Sequence, residues 1–247
     1  MHVHLIVSNP PHAEDPDVAA AAPALALAVP DARLKTHYPI PEIWRAMPSA
    51  AEADAVREQM HAAGLRAVTV PGSALAAIPP RRPLVTFAFA EAALMLFDDD
   101  ETTLPFATPV IAVAFSPRQG DDRNPPPAFL DLYAMLDGGR LGRWTASRGT
   151  TDFGGMGNRQ TASFGANALA LVERMEQHFT QVTVDRRLLN MQTRRPGSAP
   201  PPGVKRTGLS YATATLNDVL HRIGPGLADL EHDELASRLA FLTHAAG

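Results

Sequence analysis

Apolar residues alternate with small or polar ones over residues 85–97, and again over residues 103–115. Val85, Phe87, Phe89, Leu94 and Leu96 mark the first run, and Val110, Ile111, Val113 and Phe115 mark the second. A period of two is that of half-buried strands. Asp98-Asp99-Asp100-Glu101 between the runs predicts a hairpin turn. A third strand-rich stretch covers residues 129–153, where Asp137-Gly138-Gly139 predicts a second hairpin. From Ser163 the period lengthens. Phe164, Ala168, Leu171, Val172, Met175 and Phe179 form the stripe of an amphipathic helix, which must lie on the strands. Val85, Phe87, Phe89, Leu96, Val113, Phe115, Leu171, Val172 and Met175 are therefore expected in one buried cluster.

Towards the N-terminus the pattern predicts shorter elements. Residues 3–8 read as a strand, and Pro10, Pro11 and Pro16 delay any helix until Asp17, a suitable cap. Pro23 kinks or shortens that helix, which is expected to run to Leu27. Residues 33–38 read as a second strand, with Pro39 and Pro41 confining Ile40 and Trp44 to an edge or turn. Ser49-Ala50-Ala51-Glu52 matches a capping box, in which hydroxyl and carboxylate satisfy orphan amides reciprocally. Ala53, Val56, Met60 and Ala63 follow at helical spacing, Gly64 stops the helix, and residues 65–70 read as a strand. This order predicts a small α/β sandwich over residues 1–78. Pro79-Pro80-Arg81-Arg82-Pro83 is a stiff connector to a second domain, residues 83–195. Within it, residues 117–127 read as a surface loop and residues 182–184 as a strand. Residues 196–203 are a linker by composition. Beyond them, residues 204–247 predict a helical hairpin. One stripe is Leu209, Ala212, Leu216, Val219, Leu220 and Ile223, and the other is Leu235, Leu239 and Leu242. Such a hairpin cannot bury both stripes by itself, so it is expected to dock on the body or on another molecule.

Two resemblances attach to these motifs. Glu52-Ala53, Ala62-Ala63-Gly64 and the alternating run from Arg66 to Val70 resemble the C-terminal domain of the bacterial ribosomal stalk protein, over residues 31–70. That resemblance implies a topology and no factor-binding residues, because the lysines lining the stalk domain's factor-binding helices have no counterpart here. The hairpins followed by one helix are similar to a short bacterial pleckstrin-homology-like barrel over residues 83–180. Phe87 to Leu96, Leu104-Pro105-Phe106 and Asn167 to Phe179 carry that similarity. The implied fold class is α+β, with an N-terminal α/β sandwich, a central antiparallel barrel with a capping helix, and a C-terminal helical hairpin.

Composition narrows the function. An apolar fraction of 45% is that of a globular chain. A net charge of -4 argues against nucleic-acid binding, which needs a basic face. The absence of cysteine removes disulfides, thiolate zinc sites, iron–sulfur clusters and cysteine nucleophiles. There is no basic segment followed by a long apolar run at the N-terminus, and no stretch of about 18 apolar residues. A cytoplasmic protein is expected, with peripheral association at the membrane left open.

The candidate chemistry is sparse. Asp98 to Glu101 offers carboxylates for a hard cation but has the spacing of a turn. His2, His4 and His12 lie close in sequence, whereas a zinc site needs three or four ligands in tetrahedral array. Asp152-Phe153-Gly154 spells a kinase triplet without the catalytic loop or strand lysine that belong with it. Gly154-Gly155-Met156-Gly157 reads as a loop before a helix, a place that can receive an anion. His232-Asp233-Glu234-Leu235 matches a retention signal in letters, but it is internal. No catalytic residue, metal or cofactor is expected.

The uneven feature is basic charge. From Arg140 to Arg206 there are eleven basic residues against four acidic ones. Arg186, Arg187, Arg194 and Arg195 flank the apolar Leu188-Leu189-Asn190-Met191, with Lys205 and Arg206 close behind. Arginine forks around an apolar centre suit a docking surface for a protein with an acidic rim, or for an anionic membrane. The alternative is a solvated face, with Leu188 and Met191 finishing the core. The expected function is a non-enzymatic interaction or scaffold protein, an accessory subunit of a larger assembly. The rival expectation is an enzyme or small-ligand binder whose pocket the sequence does not reveal.

Overall fold

A computed structural model describes residues 3–37, 40–98, 100–117, 128–191, 208–224 and 226–246. In chain order its elements are β1 (His4–Ser8), α1 (Val18–Leu25), α2 (Val29–Thr36), β2 (Ile43–Met47), α3 (Ala50–Ala62), β3 (Ala67–Pro71) and α4 (Gly72–Ala76). Next come β4 (Arg82–Pro83), β5 (Thr86–Phe89), β6 (Ala93–Phe97), β7 (Glu101–Pro105), β8 (Val110–Pro117), β9 (Phe129–Leu136) and β10 (Arg140–Ser147). The chain ends with α5 (Phe164–His178), β11 (Val182–Met191), α6 (Gly208–Ile223) and α7 (His232–Ala245). They divide into two compact units. One comprises Met1–Ala77 with Thr193–Gly247, and the other Ile78–Gln192.

The first unit is built on a three-stranded antiparallel sheet, β2-β1-β3. Leu5, Ile6 and Val7 of the central strand are all fully buried, as a continuous apolar run in mid-sheet requires. On one side Ile6 and Trp44 cluster with Leu25 of α1 and Val56 and Met60 of α3. Each of these helices starts where a side chain can cap it. Ala20 N–H donates to Asp17 Oδ1 at 3.0 Å, and Glu52 N–H donates to Ser49 Oγ at 3.3 Å. Of residues 33–38, expected as a strand, residues 33–36 belong instead to α2, His37 ends it, and Tyr38 lies outside the described residues. Pro30 sits in its first turn, where a missing N–H costs nothing, and Thr36 Oγ1 donates to Ala32 O at 2.9 Å. The helices α6 and α7 contact α4 of the same unit.

The second unit contains two sheets. Five strands lie in the order β11-β8-β9-β10-β4, and β5-β6-β7 form a separate antiparallel meander. One face of the large sheet carries Val110, Ala112, Leu130, Leu132, Ala134, Trp144 and Ala146. Against it pack Ala168, Leu171, Val172 and Met175 of α5, together with Phe87, Leu94, Leu96 and Leu104 of the meander. Ser163 caps α5 as expected, its Oγ accepting from Ala166 N–H at 3.4 Å.

Among the described residues no sheet closes into a barrel, so the pleckstrin-homology-like fold and the descriptors that went with it, scaffold included, are corrected. Closure needs the two edge strands to pair. Here β11 returns over α5 to lie parallel to β8, and β4 is a two-residue strand whose Pro83 has no N–H to give. The first predicted strand run is itself a hairpin. β5 and β6 pair from Thr86↔Phe97 to Phe89↔Leu94, around a turn in which Ala90 N–H donates to Ala93 O at 2.9 Å. That turn, Glu91-Ala92, has neither glycine nor proline to announce it. The second predicted run divides between β7 and β8, which belong to different sheets. The core cluster changes accordingly. Val85 is 43% exposed and Phe89 is half-buried, while Val113 and Phe115 are buried on the opposite face of the large sheet from Ala112 and Ala114. Among the described residues, no helix is long and apolar enough to cross a membrane.

Candidate functional site

The residues singled out in the sequence fall in several places. Arg186 is exposed on the edge strand β11. Arg187 is turned back on its own strand, its Nε donating to both oxygens of buried Asp185 at 3.0 and 2.9 Å. Leu188 is fully buried. Arg194, Arg195, Lys205 and Arg206 lie outside the described residues. In the acidic turn, Asp98 is ion-paired with Arg82 at 2.6 Å, and its Oδ1 accepts from Asp100 N–H at 2.8 Å. His12 Nδ1 accepts from Arg66 N–H at 3.1 Å, and the ring lies 5.6 Å from that of Trp44. Burial, helped by the Arg66 charge, pushes the His12 pKa below its ordinary value. Among the described residues, no three histidine, aspartate or glutamate side chains gather as metal ligands do.

The glycine-rich stretch after β10 has a defined structure. Asp152 N–H donates to Val85 O at 2.7 Å, and Asp152 Oδ1 accepts from Gly154 N–H at 2.8 Å. The kinase-like triplet is thus a local turn in which aspartate bonds the backbone two residues on. Phe153 is buried edge-on against Phe87 at 5.8 Å and Phe164 at 5.7 Å. A 3-10 segment, Gly154–Arg159, follows. Its Gly155 is pressed onto β5, where a Cβ would stand 2.0 Å from Phe87 O. Gly157 has φ 59° and ψ -131°, a conformation open to glycine, and the space where its Cβ would stand is empty to 4 Å.

Between this segment and the last turns of α5 lies a cleft of about 500 Å³. Its side-chain lining is Met156, Asn158, Arg159, Arg174, Gln177 and His178. Arg174 is fixed from two sides. Its guanidinium lies 4.2 Å from the Phe89 ring centroid, and its Nη1 donates to Gly155 O at 3.2 Å. The His178 ring stacks on Phe106 at 5.1 Å and lies 5.4 Å from Phe89. Arg159, Asn158 and Gln177 are exposed, and among the described residues no carboxylate lines the cleft. The result is a cationic recess walled on one side by glycine backbone. Its cations come from side chains, because α5 ends here and its last carbonyls are the negative end of the helix dipole.

A buried polar cluster lies on the large sheet, on the face opposite Trp144. Asp131 of β9 and Arg143 of β10 are both fully buried and 2.7 Å apart. Arg81 reaches the same carboxylate at 3.2 Å, and Thr145 Oγ1 donates to its other oxygen. Each guanidinium also lies over a ring, Arg81 over Phe129 at 4.1 Å and Arg143 near Tyr133 at 5.1 Å.

Sequence reasoning marked the glycine run as able to receive an anion, but missed Arg159, Arg174 and His178 as its companions. They stand on two elements whose approach is a property of the folded unit. No family model, curated protein or solved structure matches the chain. Neither the stalk-domain nor the barrel resemblance is supported, and function rests on the chemistry of the site.

Proposed function

We propose that this chain is a non-catalytic interaction protein, and that the cleft beside Gly154–Arg159 recognises an anionic group presented by a partner. One observation carries the reading: Arg159, Arg174 and His178 meet in a single recess that, among the described residues, no carboxylate lines. Most of the lining is exposed and polar, which suits a group projecting from another surface. Small-molecule sites are mostly apolar and enclose their ligand. The lining offers no hydroxyl or carboxylate for His178 to work with as nucleophile or proton partner, so the cations serve recognition. Hydrogen bonds to a charged acceptor are roughly twice as strong as neutral ones, yet exposed ion pairs contribute only about 0–1 kcal/mol each. Binding is therefore modest, and it weakens as salt rises.

The test is retention of the purified full-length protein on immobilised poly-glutamate, with poly-lysine as control. Retention on poly-glutamate at low salt is expected, falling as salt is raised. The paired change Arg159→Glu with Gln177→Glu should abolish it while the melting temperature stays put, since both side chains are exposed. No retention of the unmodified protein, or equal retention of the variant, would remove the proposal.

A further inference from the structure

Resting on that reading, we infer that the group the cleft is shaped to take is a phosphate monoester, and not a carboxylate. The two anions make different demands. A carboxylate is planar, and one guanidinium can meet both of its oxygens, as Arg187 Nε meets those of Asp185 in this same chain. A phosphate monoester presents three oxygens in tetrahedral array and needs donors converging from several directions.

The cleft supplies that convergence. Arg159 and Asn158 come from the 3-10 segment, and Arg174, Gln177 and His178 come from α5. Arg174 is pre-positioned rather than free-swinging. The Phe89 ring and the Gly155 carbonyl hold its guanidinium, and its remaining N–H groups make no bond among the described residues. A donor already in place loses little side-chain entropy when an oxygen arrives. The glycine wall adds room, with nothing within 4 Å of the Cβ position at Gly157. Within that room a tetrahedral group can approach the backbone closely. Arg159 has no ion pair to break among the described residues.

The neighbouring recess shows what a mismatched site looks like. It has a volume of about 190 Å³ and includes Arg148 and Asn167, but Asp152 also lines it. Asn167 is already engaged, its Oδ1 accepting from Thr161 N–H at 2.7 Å and its Nδ2 donating to Thr161 O at 2.9 Å. A carboxylate in the wall and an occupied amide leave that recess unsuited to an anion.

The experiment is a titration of the ¹⁵N-labelled full-length protein, followed through the amides of Gly155, Gly157 and Asn158. The probes are O-phosphoserine, inorganic phosphate and glutamate. Saturable shifts at those amides are expected with both phosphate probes, and none of comparable affinity with glutamate. Tighter binding of O-phosphoserine points to a phosphorylated partner, and equal binding to free phosphate as the source; either supports the inference. Arg159→Gln should weaken phosphate binding about tenfold or more, leaving the remaining spectrum in place. Arg174→Lys, which keeps the charge but loses the fork, should weaken it as well. Glutamate binding as tightly as phosphate, or phosphate shifts confined to residues away from the cleft, would overturn the inference while leaving the broader anion reading intact. If none of the probes binds and the protein is not retained on poly-glutamate either, both fail together.

Discussion

Replacing Asp131 by alanine removes a carboxylate that the folded unit cannot replace with water. Arg143 is fully buried and 2.7 Å from it, Arg81 is bonded to the same oxygen, and Thr145 to the other. Breaking a buried pair by deleting one partner costs about 3–5 kcal/mol, because the surviving charge stays desolvated. Asp131→Asn keeps the shape and an acceptor, so its cost should be nearer about 1.5–3 kcal/mol, the worth of a hydrogen bond to a charged group. The chain has two tryptophans, Trp44 in the first unit and Trp144 in the second. In a Trp44→Phe background, Trp144 fluorescence therefore reports the unit that contains Asp131. With a urea dependence of about 2 kcal/mol per molar, the alanine variant's midpoint should fall by on the order of 2 M. Combining Asp131→Leu with Arg143→Met should recover much of the loss, since a packed apolar pair replaces a buried ionic one at little cost. A midpoint for Asp131→Ala within about 0.5 M of the parent, less than about 1 kcal/mol, would refute the reasoning. So would a double variant as unstable as the sum of its parts.

Two further outcomes follow from particular contacts. Gly155→Ala sets a Cβ against the Phe87 carbonyl, a backbone atom that cannot rotate away; it should cost about 1–3 kcal/mol in urea unfolding. Gly154→Ala, whose new atom meets the Asp152 side chain at 3.3 Å, should cost clearly less. His12 makes a pH prediction. Its Nδ1 accepts a backbone N–H and burial lowers its pKa, so the folded state favours the neutral ring. The stability this contributes is complete above the unfolded value of 6.5 and is lost as pH falls through the lower folded value. Unfolding measured from pH 7 downwards should show a decline in that window, and His12→Gln should flatten it. An unchanged slope in the variant would count against the contact.

Local features were legible in the sequence wherever one residue answers one backbone requirement. Asp17, Ser49 and Ser163 begin helices because each can bond an N–H three residues on. Asp98 to Asp100 turns a hairpin, and Asp137-Gly138-Gly139 joins β9 to β10. The α5 stripe meets the sheet as its spacing required. Signals failed where the turn had no marker, as at Glu91-Ala92, and where residues 33–38 carried too weak a pattern to tell helix from strand. Strand partners other than those joined by a marked hairpin turn were not legible. Alternation places Phe87 and Val113 on half-buried strands, but it cannot say that they belong to different sheets or that β11 returns parallel to β8.

The sequence by itself determined an α+β chain with capped helices, short hairpins and a glycine-rich turn, because these depend on bonds between near neighbours. Tertiary structure alone decided that the sheets stay open, that Arg187 is spent on Asp185, and that Asp131 anchors two arginines. It also decided where cationic charge collects. Arg159 on a turn and Arg174 on a helix become one site, with His178 beside them, only when packing brings Gly155 against Phe87 and the Arg174 guanidinium onto Phe89. Charge counted along a chain is blind to that approach, because electrostatic neighbours are set by distance in space and not by separation in sequence.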